Sequence, residues 1–329
     1  MASTASIAVV IPCHNEEQTV AKVVADFRDA LPEATIHVFD NASTDATATR
    51  AREAGARVHA VASKGKGHVV RWMFREIDAD VLLMVDGDDT YPAESARRLL
   101  QPVLMGEADM VVATRLEDHD AQAFRRFHGI GNRLVRTVIS RLFNASLADV
   151  LSGYRAFSRR FVRSMPVLSQ GFEIETEMTV FALAQGFPLR EVPVAYGTRP
   201  EGSYSKLNTY RDGLRVLRTI LFLYKDYRPL SFFGAIAMGC MLAGMVFGAF
   251  VVHEFARTGL VTHPSTAVLA VALVLAGMLS LATGLVLDTV NRRSQELLRL
   301  LTDQVLVRAN GMRSEPVDAA TGIAASRQG

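Results

Sequence analysis

Two cysteines and a single tryptophan occur in 329 residues, and the formal charge is only +2. With Cys13 near the start and Cys240 inside a long apolar run, a disulfide framework is excluded. The near balance of charge gives no reason to expect a nucleic-acid partner. The N-terminus has no basic segment followed by a long apolar stretch, because the first apolar run, Ile7 to Ile11, is cut by Pro12. That pattern reads as a strand rather than a signal peptide. Internal repeats and low-complexity blocks are also missing, so the architecture must come from ordinary domain packing.

Long uncharged runs, by contrast, are present. Phe232 to Val252 and Ala267 to Leu287 contain no charged residue, and each is long enough to cross a bilayer's hydrocarbon as a helix. Gly239, Gly244 and Gly248 in the first, and Gly277 and Gly284 in the second, either allow close helix approach and homo-oligomerisation or reflect the glycine content usual in membrane helices. Arg211, Arg215, Arg218, Lys225 and Arg228 precede the pair, Arg292, Arg293 and Arg299 follow it, and Arg257 stands alone between. The positive-inside bias then places both termini in the cytoplasm, with a multi-pass anchor in the cytoplasmic membrane. The expected organisation is a catalytic domain over 1–208, an amphipathic juxtamembrane helix over 209–229, a hairpin over 230–290 and a helical cytoplasmic tail over 291–329 with a disordered end.

Up to about Val112, short β-branched runs ("IAVVI", "ATIHVFD", "ARVHAV", "ADVLLMV", "ADMVVA") alternate with helical spacing over Glu17–Ala30, Asp45–Ala54, Gly67–Ile77 and Ala93–Met105. This alternation predicts a mainly parallel sheet flanked by helices, with ligands beyond the carboxyl ends of its strands. Further on, "LREVPVAY" reads as another strand and an arginine-studded helix runs from about Thr209 to Leu223.

The polar motifs collect at that predicted edge. Asp86-Gly87-Asp88 ends a buried strand, and two hard oxygen ligands there suit Mg²⁺ or Mn²⁺ bridging a diphosphate. A D-x-D is also common in solvated turns, so alone it leaves both readings open. Asp89 fits a turn or capping residue, since Pro92 lies just inside the next helix. "SKGKGHVV" lacks phosphate-loop spacing and fits a glycine turn that opens a helix with Lys66 near a nucleotide. Glu173, Glu175 and Glu177 alternate on a predicted helix and cannot all face one site, so at least one is expected at the surface.

"IPCHNEE", "DNASTDAT" and "DGDD" after successive strands, taken together, resemble the inverting GT-A nucleotide-sugar glycosyltransferases of family 2. The resemblance is closest to the polyprenyl-phosphate sugar synthases, and runs from about Ile7 to Leu207. It implies a GT-A fold followed by two transmembrane helices. Pro12, His14 and Glu16 match the family's P-x-Y-N-E motif at the nucleotide site, with His14 in place of tyrosine and still able to stack on a base. Asp40 and Asn41 match its paired acids, Asn41 departing from the second. Asp86, Gly87 and Asp88 match the D-x-D, and Thr90 stands where some relatives place a glutamine on the metal. Arg115 matches an arginine after the fifth strand. "DVLSGYRAF" matches a D-x-x-S-G-F-R segment, which puts Asp149, Ser152, Gly153 and Arg155 near the active site. "RPEGSYSK" matches R-x-x-G-x-S-K with one extra residue, making Arg199 and Lys206 phosphate clamps.

The resemblance therefore implies metal-dependent transfer of a sugar, UDP-linked and of GlcNAc or Glc type, to a polyprenyl monophosphate. One alternative is a family 2 transferase acting on a hydroxyl of a lipid-linked glycan, for which Glu173 or Glu175 would be the base. Another is a non-catalytic nucleotide-sugar-binding membrane subunit.

Overall fold

In the computed structural model, residues 5–115, 135–197 and 209–313 are described. The chain divides into two units, Met1–Arg228 and Pro229–Gly329.

The first unit is built on a seven-stranded sheet: β1 (Ile7–Cys13), β2 (Thr35–Asp40), β3 (Arg57–Ala60), β4 (Val81–Met84), β5 (Met110–Arg115), β6 (Arg155–Ser158) and β7 (Leu189–Val194). The order across the sheet is β3-β2-β1-β4-β6-β5-β7. β1 pairs in parallel with β2 (Ala8 beside Thr35) and with β4 (Val10 beside Met84). Only β6 runs against its neighbours, with Leu82 beside Phe157 and Val111 beside Ala156. β5 and β7 are parallel again.

The helices are α1 (Val20–Ala30), α2 (Thr47–Glu53), α3 (Lys66–Glu76), α4 (Ala96–Leu104), α5 (residues 135–143), α6 (Arg159–Ser164), α7 (Ile174–Gln185) and α8 (Thr209–Tyr227). Because strand side chains alternate, each apolar strand feeds two cores. Val9, Ile11, Val38, Leu83 and Val111 pack with Val20, Val24 and Phe27 of α1 and with Leu99 and Leu100 of α4. On the other face Val10, Met84 and Phe157 meet Val70 and Met73 of α3 and Met178 of α7. A satellite cluster joins Ile139 and Phe143 of α5 to Val180 of α7 and to Ile220 and Leu223 of α8.

α1, α2 and α4 start two or three residues later than the apolar spacing suggests, whereas α3 starts one residue earlier, at Lys66. α1 begins at Val20, since residues after Glu16 form turns in which Thr19 and Val20 donate to the Glu16 carbonyl. The strand β6 has no counterpart among the strands expected from the sequence, because its four residues carry no alternation of their own and are placed by pairing with β4 and β5.

The second unit holds α9 (Pro229–Thr258) and α10 (Pro264–Arg313). Both contain a window of mean hydropathy 2.3, long and apolar enough to cross a membrane. Large apolar side chains such as Met238, Leu242, Val246, Val271 and Leu279 are exposed along them, the reverse of a soluble core helix. The two helices touch at glycines: a Cβ at Gly244 would meet Val274 Cγ2 at 2.8 Å, and one at Gly277 would meet Met241 Cγ at 2.8 Å. Ser280 also donates across to the Phe233 carbonyl over 2.9 Å. Gly239 has no such neighbour, so not every glycine of the runs serves the contact.

Candidate functional site

The parallel β1, β2 and β4 end on one edge of the sheet, and the strand order reverses about β1. A cleft of ≈ 270 Å³ opens there. Pro12, Cys13, His14 and Glu16 from the end of β1 line it, with Asn41 after β2, residues 64–66 and Val69 before and on α3, and Asp86 to Asp88 after β4. Phe172 stands at the same cleft.

Local hydrogen bonds hold these loops together. The Asn15 amide donates to Ser43 Oγ at 2.9 Å and the Glu16 amide to Thr47 Oγ1 at 2.8 Å, so the loop after β1 is fastened to the loop after β2. Asp40 is half-buried and accepts from the Ser43 amide. Buried Asn41 donates through Nδ2 to the carbonyls of Val61 (3.3 Å) and Ser63 (2.6 Å) and accepts through Oδ1 from the Gly65 amide (2.7 Å). An aspartate could not make the two donations. The departure at this position therefore has a structural cause: the amide pins the turn that presents Lys66.

Gly87 packs against β1, where a Cβ would sit 2.5 Å from Cys13 Sγ. Asp88 is 4% exposed and accepts from the Thr90 hydroxyl at 2.6 Å. Asp89 adopts φ 57 and pairs with Lys22 at 2.7 Å, and the short 3₁₀ turn Ala93–Ser95 has no side-chain cap. Asp86 projects into a contact the sequence did not disclose. Its Oδ1 lies 2.5 Å from Lys66 Nζ, and the same ammonium lies 2.6 Å from Glu175 Oε1. Burial works against the Lys66 charge, but the carboxylates of Asp86 and Glu175 outweigh it and its pKa is raised. Behind Asp86 stands Gly153, where a Cβ would lie 2.3 Å from Oδ2.

The remaining acids of α7 are occupied. Glu177 is buried and accepts from the amides of Leu168 and Ser169, both at 2.8 Å. Glu173 is half-buried and accepts from the amide of Gly171 at 3.1 Å. Neither is an exposed surface acid.

Arg115 does not line the cleft; it forms a two-pronged pair with Asp149 (2.6 and 3.0 Å) and lies over the Tyr196 ring at 5.4 Å. Asp149 begins the loop that ends at β6. Tyr91, after β4, reaches that loop: its Oη lies 3.3 Å from Ser152 Oγ and accepts from the Gly153 amide. Arg155 is fully buried rather than poised at a ligand. Its guanidinium donates to the carbonyls of Ser152 (2.8 Å) and Val150 (2.6 Å) and to Thr179 Oγ1 (2.9 Å), tying the loop to α7. Burial lowers its pKa to about 10, still a cation at neutral pH. Arg199 and Lys206 lie outside the described residues, but Gly197, just before them, donates to the Thr90 carbonyl over 2.9 Å.

Among the described residues no group of three or more His, Cys, Asp or Glu side chains forms a closed metal cage. What exists is an open pair, Asp86 and Asp88, on one turn facing a cleft. Oxygen donors with room for water and diphosphate oxygens fit Mg²⁺ or Mn²⁺ better than a closed nitrogen or sulfur site.

Comparison with known proteins agrees with this geometry. Residues 8–165 match the family model described as glycosyl transferase family 2. A glycosyltransferase of Haloferax volcanii, AglJ, is 33% identical over 299 residues, covering 91% of this chain and 98% of that protein. The dolichyl-phosphate hexose transferase of the same organism is 28% identical, over 65% of this chain and 92% of its own. Among solved structures, glucosyl-3-phosphoglycerate synthase from Mycobacterium tuberculosis, in complex with Mn²⁺ and uridine-diphosphate-glucose, superposes with a TM-score of 0.57. It covers 67% of this chain and 79% of that one at 22% identity, which establishes the shared GT-A fold. With a cleft at the switch point of its sheet, and a relative matched over almost its full length, the chain belongs to glycosyl transferase family 2.

Proposed function

We propose that the protein transfers one sugar from a nucleotide-diphosphate donor, UDP-linked and of GlcNAc or Glc type, to a polyprenyl monophosphate, with inversion at the anomeric carbon. The observation that carries this reading is the cleft itself, which Asp86 and Asp88 line together with Pro12, His14, Glu16 and Asn41. The likeness to a dolichyl-phosphate hexose transferase supports the acceptor class.

In this reading His14 and the backbone around Glu16 receive the nucleoside, and Asp86 and Asp88 would hold the divalent metal. When bound, that metal supplies positive charge to the departing diphosphate. Thr90 acts through Asp88, since its hydroxyl donates to the carboxylate. A phosphate monoester is already largely anionic near neutral pH, its second pKa being about 6, so the acceptor needs placement more than a base. The cations Arg199 and Lys206, on the segment that follows Gly197, whose amide donates to the Thr90 carbonyl, are assigned to hold phosphate oxygens, whereas Arg115 is engaged by Asp149 outside the cleft lining.

The state of the acids favours this acceptor over a hydroxyl. A hydroxyl acceptor requires a base that can reach its proton. Glu175 is held by Lys66 and is absent from the cleft lining, while Glu173 and Glu177 accept from loop amides. Residues 1–208 are assigned as the catalytic domain, 209–229 as a basic helix at the anionic membrane surface, and 230–290 as a membrane hairpin with both ends in the cytoplasm.

The test is incubation of the purified protein with a panel of UDP-sugars, Mg²⁺ or Mn²⁺ and a polyprenyl phosphate, with mass spectrometry of the lipid. A lipid-phosphate sugar formed only with metal supports the assignment. Transfer only to a lipid-linked glycan, lost in Glu175→Gln while donor binding persists, would favour the hydroxyl reading instead.

A further inference from the structure

Lys66 occupies an unusual position for a lysine, and its surroundings assign it a task. Only 10% of its side chain is exposed, and its ammonium bridges Asp86 on the turn after β4 and Glu175 in the first turn of α7. The backbone that presents it has no room to shift. Gly65 is at φ 125, its amide donates to Asn41, and a Cβ there would lie 2.2 Å from the Gln170 carbonyl oxygen. At Gly67 a Cβ would lie 2.2 Å from the Ser169 oxygen, and the Gly67 amide donates to Gln170. Asp86 is confined likewise by Gly153.

A second observation concerns Glu175. Its Oε1 accepts from Lys66, while its Oε2 is buried and has no hydrogen-bond partner among the described residues. An unpaired buried carboxylate oxygen is costly and leaves room for one more donor at this position. An ammonium has three donors, and two of those on Lys66 point to Asp86 Oδ1 and Glu175 Oε1. Released from Asp86, the same ammonium can pair with both oxygens of Glu175.

We infer that Lys66 is a built-in counter-cation that holds Asp86 while the metal is away, and that Glu175 is the anchor receiving it when a divalent ion takes Asp86. This rests on the reading of Asp86 and Asp88 as metal ligands. Lys66 and Glu175 are in this account positioning residues that act through Asp86. The exchange would keep half-buried Asp86 and buried Glu175 compensated by positive charge in both states, so that a divalent ion has to displace Lys66 before it can bind.

The experiment is titration of the full-length protein in detergent with Mn²⁺, without donor, reading free Mn²⁺ by electron paramagnetic resonance. Lys66→Met removes the competitor and leaves both acids, so Mn²⁺ binding should tighten by about tenfold, the scale on which neighbours of a metal ligand act. Glu175→Gln removes the alternative anchor and should weaken Mn²⁺ binding by about tenfold, opposite in sign. Unchanged or weaker binding in Lys66→Met, or a shift of Glu175→Gln in the same direction, overturns the inference, as does the absence of Mn²⁺ binding in all of these proteins. If Lys66→Met does not fold, judged by circular dichroism, Glu175→Gln decides alone: weaker binding supports the exchange, and equal or tighter binding overturns it. Asp88→Asn separates the two layers of argument. If it leaves wild-type Mn²⁺ binding intact, the metal lies elsewhere and the ligand assignment itself fails.

Discussion

The Thr90 hydroxyl donates to Asp88 Oδ1 over 2.6 Å, inside a turn where both residues are buried. The bond fixes one carboxylate oxygen and so directs the other; under the proposed function, in which Asp88 holds the metal, Thr90 would tune that ligand without touching the metal. Thr90→Val keeps the shape and removes the donor. Mn²⁺ affinity should fall by about tenfold with the melting temperature nearly unchanged, as a paired metal titration and thermal melt would show. Asp88→Asn should abolish metal-dependent transfer in a protein that still folds. Wild-type turnover in Asp88→Asn would place the metal elsewhere.

Asn41 supplies a prediction that runs against the family pattern. Restoring the acid, Asn41→Asp, removes both donations from Nδ2 and sets a carboxylate against the carbonyls of Val61 and Ser63. We expect a loss of stability of about 1–3 kcal/mol and a weaker hold on the nucleotide, because the turn carrying Lys66 loosens. Denaturant unfolding beside donor titration would check both effects. Stability equal to the wild type would mean that the turn is held by other contacts.

For Arg155 the expected outcome is a folding defect rather than a binding one. Its guanidinium is fully buried and meets two carbonyls and a hydroxyl. Arg155→Met leaves those acceptors without donors and should cost about 3 kcal/mol or more. The measurement is the melting temperature. An unchanged melt with a raised acceptor KM would instead make Arg155 a ligand contact.

A pH dependence follows from His37 on β2. Its Nδ1 lies 2.9 Å from His59 Nε2, and burial, then His59 and Arg57, lower its pKa from 6.5 to about 4. Between those two values the unfolded chain takes up a proton that the folded chain refuses, so stability should fall as pH drops from 6.5 toward 4. Above pH 6.5 the group contributes no slope. Thermal melts across this range should show a steeper fall for the wild type than for His37→Gln, and parallel curves would contradict the assignment.

Much of this was legible in the sequence, for identifiable reasons. β1, β2 and β4 are short apolar runs buried on both faces, and the polar residues following them converge because parallel strands end on one edge. The uncharged runs around Gly244 and Gly277 disclosed α9 and α10 by length alone. What stayed hidden depends on partners distant in the chain. β6 is a strand because β4 and β5 flank it. Lys66 and Glu175 were each legible as polar residues near the nucleotide edge, but no local pattern pairs them. Arg155 looked like a ligand-facing cation in its motif, and only the enclosing Val150, Ser152 and Thr179 reveal it as the tie between loop and helix.

Under the proposed function the cleft lined by Asp86 and Asp88 carries metal-dependent sugar transfer onto a lipid phosphate. Its most direct measurement is mass spectrometry of polyprenyl phosphate incubated with the purified protein, UDP-sugars and Mn²⁺, with and without chelator. The expected product is a lipid heavier by one sugar residue, formed with the wild type, lost with chelator and lost in Asp88→Asn. A lipid of unchanged mass with every donor, or product that persists undiminished in Asp88→Asn, would contradict it.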